Sequence, residues 1–430
     1  MTAATTAPAA TGSQSAGGKS SAAAMVRPFR AGVQEVDEIP YDQTLTATTG
    51  TLDFPNYQLP STGFLNSIYV WLAATVTGNT ATTVNFANEG PYNAIDTIQF
   101  VDTNNQPIMG PLNGWDLKVI NKWGGYTFSD DPQSSNQFAV ITGASGTYTV
   151  SYGDPVTAAT SGTGNPLGVA PAVGNAGSFQ FLLRIPLELV PRDALGSLPN
   201  KSASTPFQVK VRLAASGTPY ATAPTAATIS YRLRMVAESY WQPAATDAQG
   251  NALAQQPPAV DTTQYWQKSN YVGNAGQFNQ QLTSSTGFPI RNLMFYLEDS
   301  NNSRFQGEAD WPDPVTLQLE ANILQQRNKA VWNDILGRKY GYTGAIGTAA
   351  ATTGAPEAVK AKEAGLYMRD FCSDFNPKPG WEMRREYLAT TDGMRLQFRG
   401  TIGGSGSHTL YVLTNYVAPG AGASLASITA

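Results

Sequence analysis

The sequence predicts an all-β protein built as two similar sandwiches in tandem, and three observations lead there. Its 430 residues exceed one ordinary sandwich and suit two β domains of about 200 residues each. It carries 41 Gly, 28 Pro, 19 Tyr and 17 Phe but only 13% charged residues, where a helical enzyme carries about 25%. Short runs of Thr, Val, Ile and aromatics punctuated by turn-formers read as strands joined by many loops. The third observation is that the two halves of the chain echo each other.

Taken in order, residues 1–24 hold almost no large apolar side chain and cannot offset the entropy of ordering alone. They predict a flexible N-terminal arm, drawn to residue 30. No apolar signal-peptide core is present in them, which argues against export by the general route. Strands are expected at Thr44–Phe54, Phe64–Val76 and Ala94–Val101. The cluster Asp102-Thr103-Asn104-Asn105-Gln106-Pro107 then predicts a hairpin. Gly114–Trp123 is a short amphipathic helix, with Leu117 and Ile120 three apart.

Residues 128–177 are dominated by Gly, Ser, Thr, Pro and Asn, with short strands only at Phe138–Thr142 and Thr147–Tyr152. They read as a long structured excursion from the first domain, 31–241. Strands resume at Phe179–Leu189, Phe207–Leu213 and Thr228–Tyr240. Residues 242–258 have linker composition and mark the boundary. The second domain, 259–420, is expected to hold strands at Tyr271–Leu282, Arg291–Glu298 and Val315–Leu319. A helix over Ala321–Gly337 follows, with Ile323, Val331, Ile335 and Leu336 as its apolar positions, and then a loop at 341–356. Late strands are expected at Glu386–Thr391, Met394–Gly400 and His408–Val417, with a C-terminal tail at 421–430.

The echo lies in matched landmarks. Trp115-Asp116 is followed by Lys122-Trp123-Gly124, and at the same spacing Trp332-Asn333 is followed by Lys339-Tyr340-Gly341. Upstream, Ile98 and Phe100 match Val315 and Leu317 in alternation. Downstream, Phe207–Leu213 resembles Met394–Arg399, and Ser230-Tyr231-Arg232-Leu233 resembles Leu410-Tyr411-Val412-Leu413. The matches fall in the same order in both halves, as a duplicated sandwich requires.

Bulk properties exclude several classes. A net charge of −4, from 27 basic and 31 acidic residues, leaves no excess for wholesale phosphate neutralisation, so no nucleic-acid site is expected. One cysteine, Cys372, excludes an intramolecular disulfide framework. The longest near-continuous apolar stretch, about Ile68–Val76, is well short of the ~20 residues of a spanning helix.

The run Gly90-Pro91-Tyr92-Asn93-Ala94-Ile95, then Ile98-Gln99-Phe100-Val101-Asp102, the turn, and Gly114-Trp115-Asp116-Leu117 resembles the first roll of double jelly-roll major capsid proteins. These belong to the lineage of tectivirus-like membrane-containing phages and adenovirus hexons. The resemblance is one of architecture and pattern, over about residues 30–420. It implies two tandem jelly rolls, each with a short helix and long loops. It further implies homotrimers of pseudo-hexameric outline that tile an icosahedral virion shell, made in the host cytoplasm. Minor capsid or vertex proteins would be partners, and an internal membrane could be met through the N-terminal arm. The loops at 128–177 and 341–356 would be outer tower or inter-subunit elements. The family brings no catalytic motif and no cofactor.

Candidate chemistry is sparse. Gly17-Gly18-Lys19-Ser20 brushes against a phosphate-binding loop, but Ser13 stands where the earlier glycine belongs and no strand precedes it. His408 is the only histidine, so any triad would have to use it and a His-based zinc site would have one such ligand. In a closing strand it reads as a packed or surface imidazole. Asp299-Ser300-Asn301-Asn302-Ser303 spaces oxygens as a calcium loop does, yet Arg304 replaces the turn glycine and Asp310 the final Glu. It reads as a polar turn. Asp310, Asp313, Asp370 and Asp374 could supply a carboxylate pair for glycoside cleavage. Chance supplies such pairs in a chain with 31 acids, and solvated turns are expected instead. Cys372 lacks an activating neighbour and reads as a small buried residue. Trp71, Trp115, Trp123, Trp241, Trp266, Trp311, Trp332 and Trp381 form no regular stacking platform and read as packing.

No catalytic, cofactor-binding or metal-binding residue is therefore assigned, and the expected role is structural. The rivals are a tandem sandwich acting as a carbohydrate-binding or adhesin-like surface protein, and a jelly-roll glycosidase or lyase with converging carboxylates.

Overall fold

A computed structural model describes residues 34–127, 139–152, 175–241, 263–340 and 365–418, except 62, 80–84, 88, 145–146, 190–193, 201–203, 205, 283–286, 303, 373–374 and 377–386. The expected arm, linker, 341–356 loop and tail lie outside the described residues.

The first half runs β1 (Gln34–Thr46), β2 (Leu52–Asp53), β3 (Tyr57–Gln58), β4 (Phe64–Asn79), β5 (Asn85–Phe86), a 3₁₀ turn at Tyr92–Ala94, β6 (Ile95–Val101), β7 (Pro107–Leu112) and α1 (Gly114–Gly124). It continues with β8 (Ala139–Ala144), β9 (Thr147–Tyr152), β10 (Asn175–Pro186), β11 (Leu198–Pro199), β12 (Gln208–Leu213), β13 (Tyr220–Thr222) and β14 (Thr228–Trp241). The second half contributes β15 (Thr263–Leu282), β16 (Ile290–Asp299), α2 (Arg304–Asp310), β17 (Val315–Leu319), β18 (Asn322–Arg327), α3 (Lys329–Tyr340), β19 (Leu366–Asp370) and β20 (Leu396–Ala418).

Strand pairing gives each half the same two layers. In the first, β1–β14–β4–β10 form one sheet, extended by the β8–β9 hairpin. The short strands β2 and β3 pair with β12, which continues through β6 to β7 as the other sheet. In the second half, β15 and β20 are long enough to serve both layers. Their Thr263–Asn274 and Ser407–Ala418 portions pair with each other and, through β20, with β16 and then β19. Their Gly276–Leu282 and Leu396–Ile402 portions continue into β17 and β18. The orders β1–β14–β4–β10 and β15–β20–β16–β19 correspond strand for strand, as do β12–β6–β7 and β20–β17–β18.

The echo in the sequence is therefore an echo in pairing. Phe207–Leu213 lies beside the strand of Ile98 and Phe100, and the segment that resembles it lies beside that of Val315 and Leu317. Both hairpins run straight into a helix that begins beside a buried tryptophan, Trp115 or Trp332.

Burial follows the two-residue period expected of one buried face. Along β14, Ile229, Tyr231, Leu233, Met235 and Ala237 are buried while their neighbours are not. They lie beside Leu65, Ile68, Val70, Leu72, Ala74 and Val76 of the paired strand β4 in one continuous core.

Several element expectations are corrected. Asn322–Arg327 is a strand, not the start of a helix, and the helix runs on to Tyr340. Glu320 adopts a left-handed φ of 54°, folding the chain back so that β18 pairs with β17. Ile323 and Val331, expected on an apolar face, are 62% and 48% exposed. The late segments 394–400 and 408–417 are one strand, β20. The Gly403–Gly406 run between them is a corner within that strand, with left-handed Gly404 and Gly406. Glu386–Thr391 is no strand; among its described residues only Leu388 bridges, to Ile290. The expected Thr44–Phe54 strand ends at Thr46 and resumes at Leu52–Asp53. The part of β1 before Thr44, α2 and β19 are elements that the sequence pattern does not predict.

Candidate functional site

The two halves meet along a contact built around α1. Asn113 caps the helix: its Oδ1 accepts the Asp116 N–H at 2.7 Å and its own N–H donates to Asp116 Oδ2 at 3.1 Å. Asn121 fastens the helix to β10, donating from Nδ2 to the Arg184 carbonyl at 2.7 Å and accepting the Arg184 N–H at 2.6 Å. Left-handed Gly125 closes its C-terminus.

The last turn of α1 then places Trp123 against the second half. Its ring stacks on Tyr340 at 5.8 Å and 22°, so the two aromatics at matching places in the repeated Lys-aromatic-Gly run touch each other. Phe375 packs against Tyr340, Trp266 and Tyr126. The fully buried Arg291 lies over Phe375 and donates to Gln264 Oε1 at 3.2 Å and Tyr126 Oη at 3.3 Å. Among the described residues one strand contact joins the halves: β7 and β15 run parallel with Met109 opposite Trp266.

Beside this lies a buried charge cluster drawn from both halves. Lys268 Nζ donates to Asp116 Oδ2 at 2.8 Å, and Tyr296 OH to Asp116 Oδ1 at 3.1 Å. Arg304 Nε stands 3.7 Å from Glu89 Oε1 with its guanidinium 4.9 Å over Trp115. Burial lowers the Lys268 pKa, but the Asp116, Glu89 and Glu298 carboxylates together outweigh it and the net shift is upward. The glutamates go the other way. Burial raises Glu89, and burial with the nearby Glu89 charge raises Glu298 to about 7, against Lys268 and Arg304, which lower it. Three carboxyls against two cations favour keeping a proton on the glutamates.

A pH dependence follows. Glu298 holds its proton more firmly in the folded chain than at the ordinary value of 4.5, so its contribution is whole below pH 4.5 and lost as pH rises through about 7. Thermal midpoints are expected to fall between pH 5 and pH 8. In Glu298→Gln that fall is expected to be smaller. An equal or steeper fall in the variant would refute the assignment.

Of the residues singled out in the sequence, His408 and Asp310 meet, and the others described do not gather around them. His408 is buried and its Nε2 lies 2.9 Å from Asp310 Oδ2. Its Nδ1 has no hydrogen-bond partner among the described residues, so no hydroxyl nucleophile bonded to the ring completes a triad there. Asp310 is thus buried in the core corner rather than a solvated turn. Asp313 accepts the Lys329 N–H at the start of α3 at 3.2 Å. Asp370 pairs with Lys339 and accepts from Tyr340 OH at 2.8 Å. Asp299 accepts the Asn301 N–H at 2.9 Å, a polar turn as read. Cys372 is buried. Among the described residues no group of three His, Cys, Asp or Glu side chains could hold a metal. Asp374, Trp381 and Gly17–Ser20 lie outside them. Trp115, Trp123, Trp266, Trp311 and Trp332 are buried, while Trp241 is exposed.

The sequence reading missed Glu89, Lys268, Glu298 and Arg304. They are scattered over more than two hundred positions, and the only local signal was the Trp-Asp to Trp-Asn change between the halves.

No protein-family model and no curated protein matches the chain. Solved structures do. The atomic structure of Sulfolobus turreted icosahedral virus superposes with a TM-score of 0.54 at 12% identity, over 92% of this chain and 93% of that one. The crystal structure of the STIV MCP gives 0.51 at 13%, over 90% and 97%. The chain is a double jelly roll. The major capsid protein P2 from bacteriophage PM2 also matches, with a TM-score of 0.46 at 10% identity over 90% and 98%. In the double jelly roll the contact around α1 is the roll-to-roll junction.

Proposed function

We propose that this chain is a major capsid protein. Its copies associate as pseudo-hexameric homotrimers, and the trimers tile the icosahedral shell of a virion. The observation that carries the reading is the double jelly roll itself, shared with the STIV MCP over nearly the full length of both chains. The arrangement of side chains supports it. Trp115, Trp123, Trp266, Trp311 and Trp332 are buried in the rolls and their junction, where a carbohydrate-binding sandwich would present rows of aromatics on an outer sheet face. Low charge lets polar rims pair by hydrogen bonds without heavy desolvation cost.

On this reading the shell also carries minor capsid or vertex proteins, the N-terminal arm reaches an internal membrane or a neighbouring copy, and the chain is made in the host cytoplasm. The domain division at 242–258 is part of the same proposal. Light scattering coupled to size exclusion, followed by negative-stain imaging, tests it. Trimers and shells or shell fragments are expected. A stable monomer at all concentrations would count against the capsid reading, and sugar-dependent thermal stabilisation would favour the adhesin-like rival.

A further inference from the structure

Each roll places an arginine over the tryptophan of its helix, but only one of the two has an acid beside it. In the first roll Arg304 lies over Trp115 with the Glu89 carboxylate 3.7 Å away. In the second, Arg327 lies 5.3 Å over the matching Trp332, and among the described residues no carboxylate acts on it. A second arginine comes to the same place. β18 is the edge strand of one layer of this roll and β19 of the other. Trp332 spans them, under Arg327 of β18 and edge-on to Tyr367 of β19 at 5.8 Å. Arg369 lies two residues beyond Tyr367, on the same side of its strand, with its guanidinium 4.8 Å over Phe371.

Both arginines are half-buried. Burial lowers the pKa of each, and at Arg369 the charge of Arg327 lowers it further, as facing cations require. Among the described residues Arg369 Nε is buried without an acceptor. Gln325 adds to this. It is 7% exposed and lies on the same side of β18 as Arg327, and among the described residues neither its Nε2 nor its Oε1 has a partner. Buried polar groups without partners are costly, and two cations without a counter-ion more so.

We propose that Arg327, Arg369 and Gln325 form a binding site for hydrogen phosphate between the edge strands of the second roll. The dianion matches the two guanidinium charges, and its oxygens accept from their planar N–H forks and from Gln325 Nε2. Its remaining hydroxyl donates to Gln325 Oε1. Sulfate and methyl phosphate carry the charge without that hydroxyl. The proposal stands apart from the capsid reading, because every group in it comes from one roll of one chain.

The test is thermal unfolding of the full-length chain at pH 8 and constant ionic strength, with phosphate replacing chloride. A saturable rise in midpoint is expected, larger than with sulfate or methyl phosphate. Arg327→Gln and Arg369→Gln are each expected to weaken phosphate binding about tenfold or more, as loss of a charge-assisted bond does. Arg338→Gln, which changes an exposed arginine of α3, is expected to leave it unchanged. In chloride alone the first two variants are expected to be at least as stable as the parent, since each removes one of two facing cations. Should either fail to fold, Arg327→Lys keeps the charge and loses the fork, and it too is expected to bind phosphate more weakly. Arginine variants less stable than the parent by one margin in both salts would mark a packing role and overturn the site. No rise in midpoint on replacing chloride with phosphate, or a rise that both glutamine variants keep, overturns it as well. Equal affinity for sulfate overturns the part given to Gln325 Oε1.

Discussion

Lys268→Met is expected to lower the stability of the folded chain by about 3–5 kcal/mol, the usual cost of removing one partner from a buried ion pair. The Asp116 carboxylate has no exposed surface. It would keep the Tyr296 hydroxyl and the Asn113 N–H but lose the Lys268 ammonium, with two further acids, Glu89 and Glu298, in the same cluster. The double variant Lys268→Met with Asp116→Asn is expected to regain most of the loss. The second roll already carries Asn333 at the matching place, buried in its own helix, so the plan tolerates an amide there. Chemical denaturation of the three proteins at neutral pH measures this. A single variant within 1 kcal/mol of the parent, on the order of an exposed pair, would show that the junction charges do not stabilise the fold.

Trp123→Ala is expected to cost about as much, 3–5 kcal/mol in order of magnitude, because a fully buried aromatic leaves a cavity that its surroundings fill only in part. The loss falls at the junction, where Tyr340 would face the void while its hydroxyl stays bound to Asp370. Unfolding of this variant is expected to broaden or split as the rolls lose coupling. Trp123→Phe is expected to be far milder. The indole N–H has no partner among the described residues, so the substitution removes volume without orphaning an acceptor. Calorimetry of the two variants checks this, and equal effects would contradict it.

Legibility in the sequence was uneven for physical reasons. The α1 helix was readable because its signals are local: an Asn cap, an Asp three residues on, and apolar positions three and four apart. The start expected for its partner α3, Ala321, is too early because Ile323 fits a helical spacing as well as a strand. Pairing with β17 decided between them. The glycine run 403–406 reads as a loop in any local window. Only the paired partner β15, with its own irregularity between Asn274 and Gly276, shows that one strand turns there from one sheet into the other. His408 looked like an ordinary strand residue, and its buried pairing with Asp310 joins residues 98 positions apart.

Fold class and duplication are written in local patterns of the chain. Alternation, turn chemistry and capping are short-range properties, and two copies of one pattern survive in matched tryptophans and strands even where identity is gone. The tertiary structure alone decided how the rolls are joined. Which strand edges meet, where Trp123 finds Tyr340, and how Asp116 gathers Lys268 and Tyr296 depend on contacts between distant segments. Their energies come from burial and desolvation that exist only once both rolls are formed.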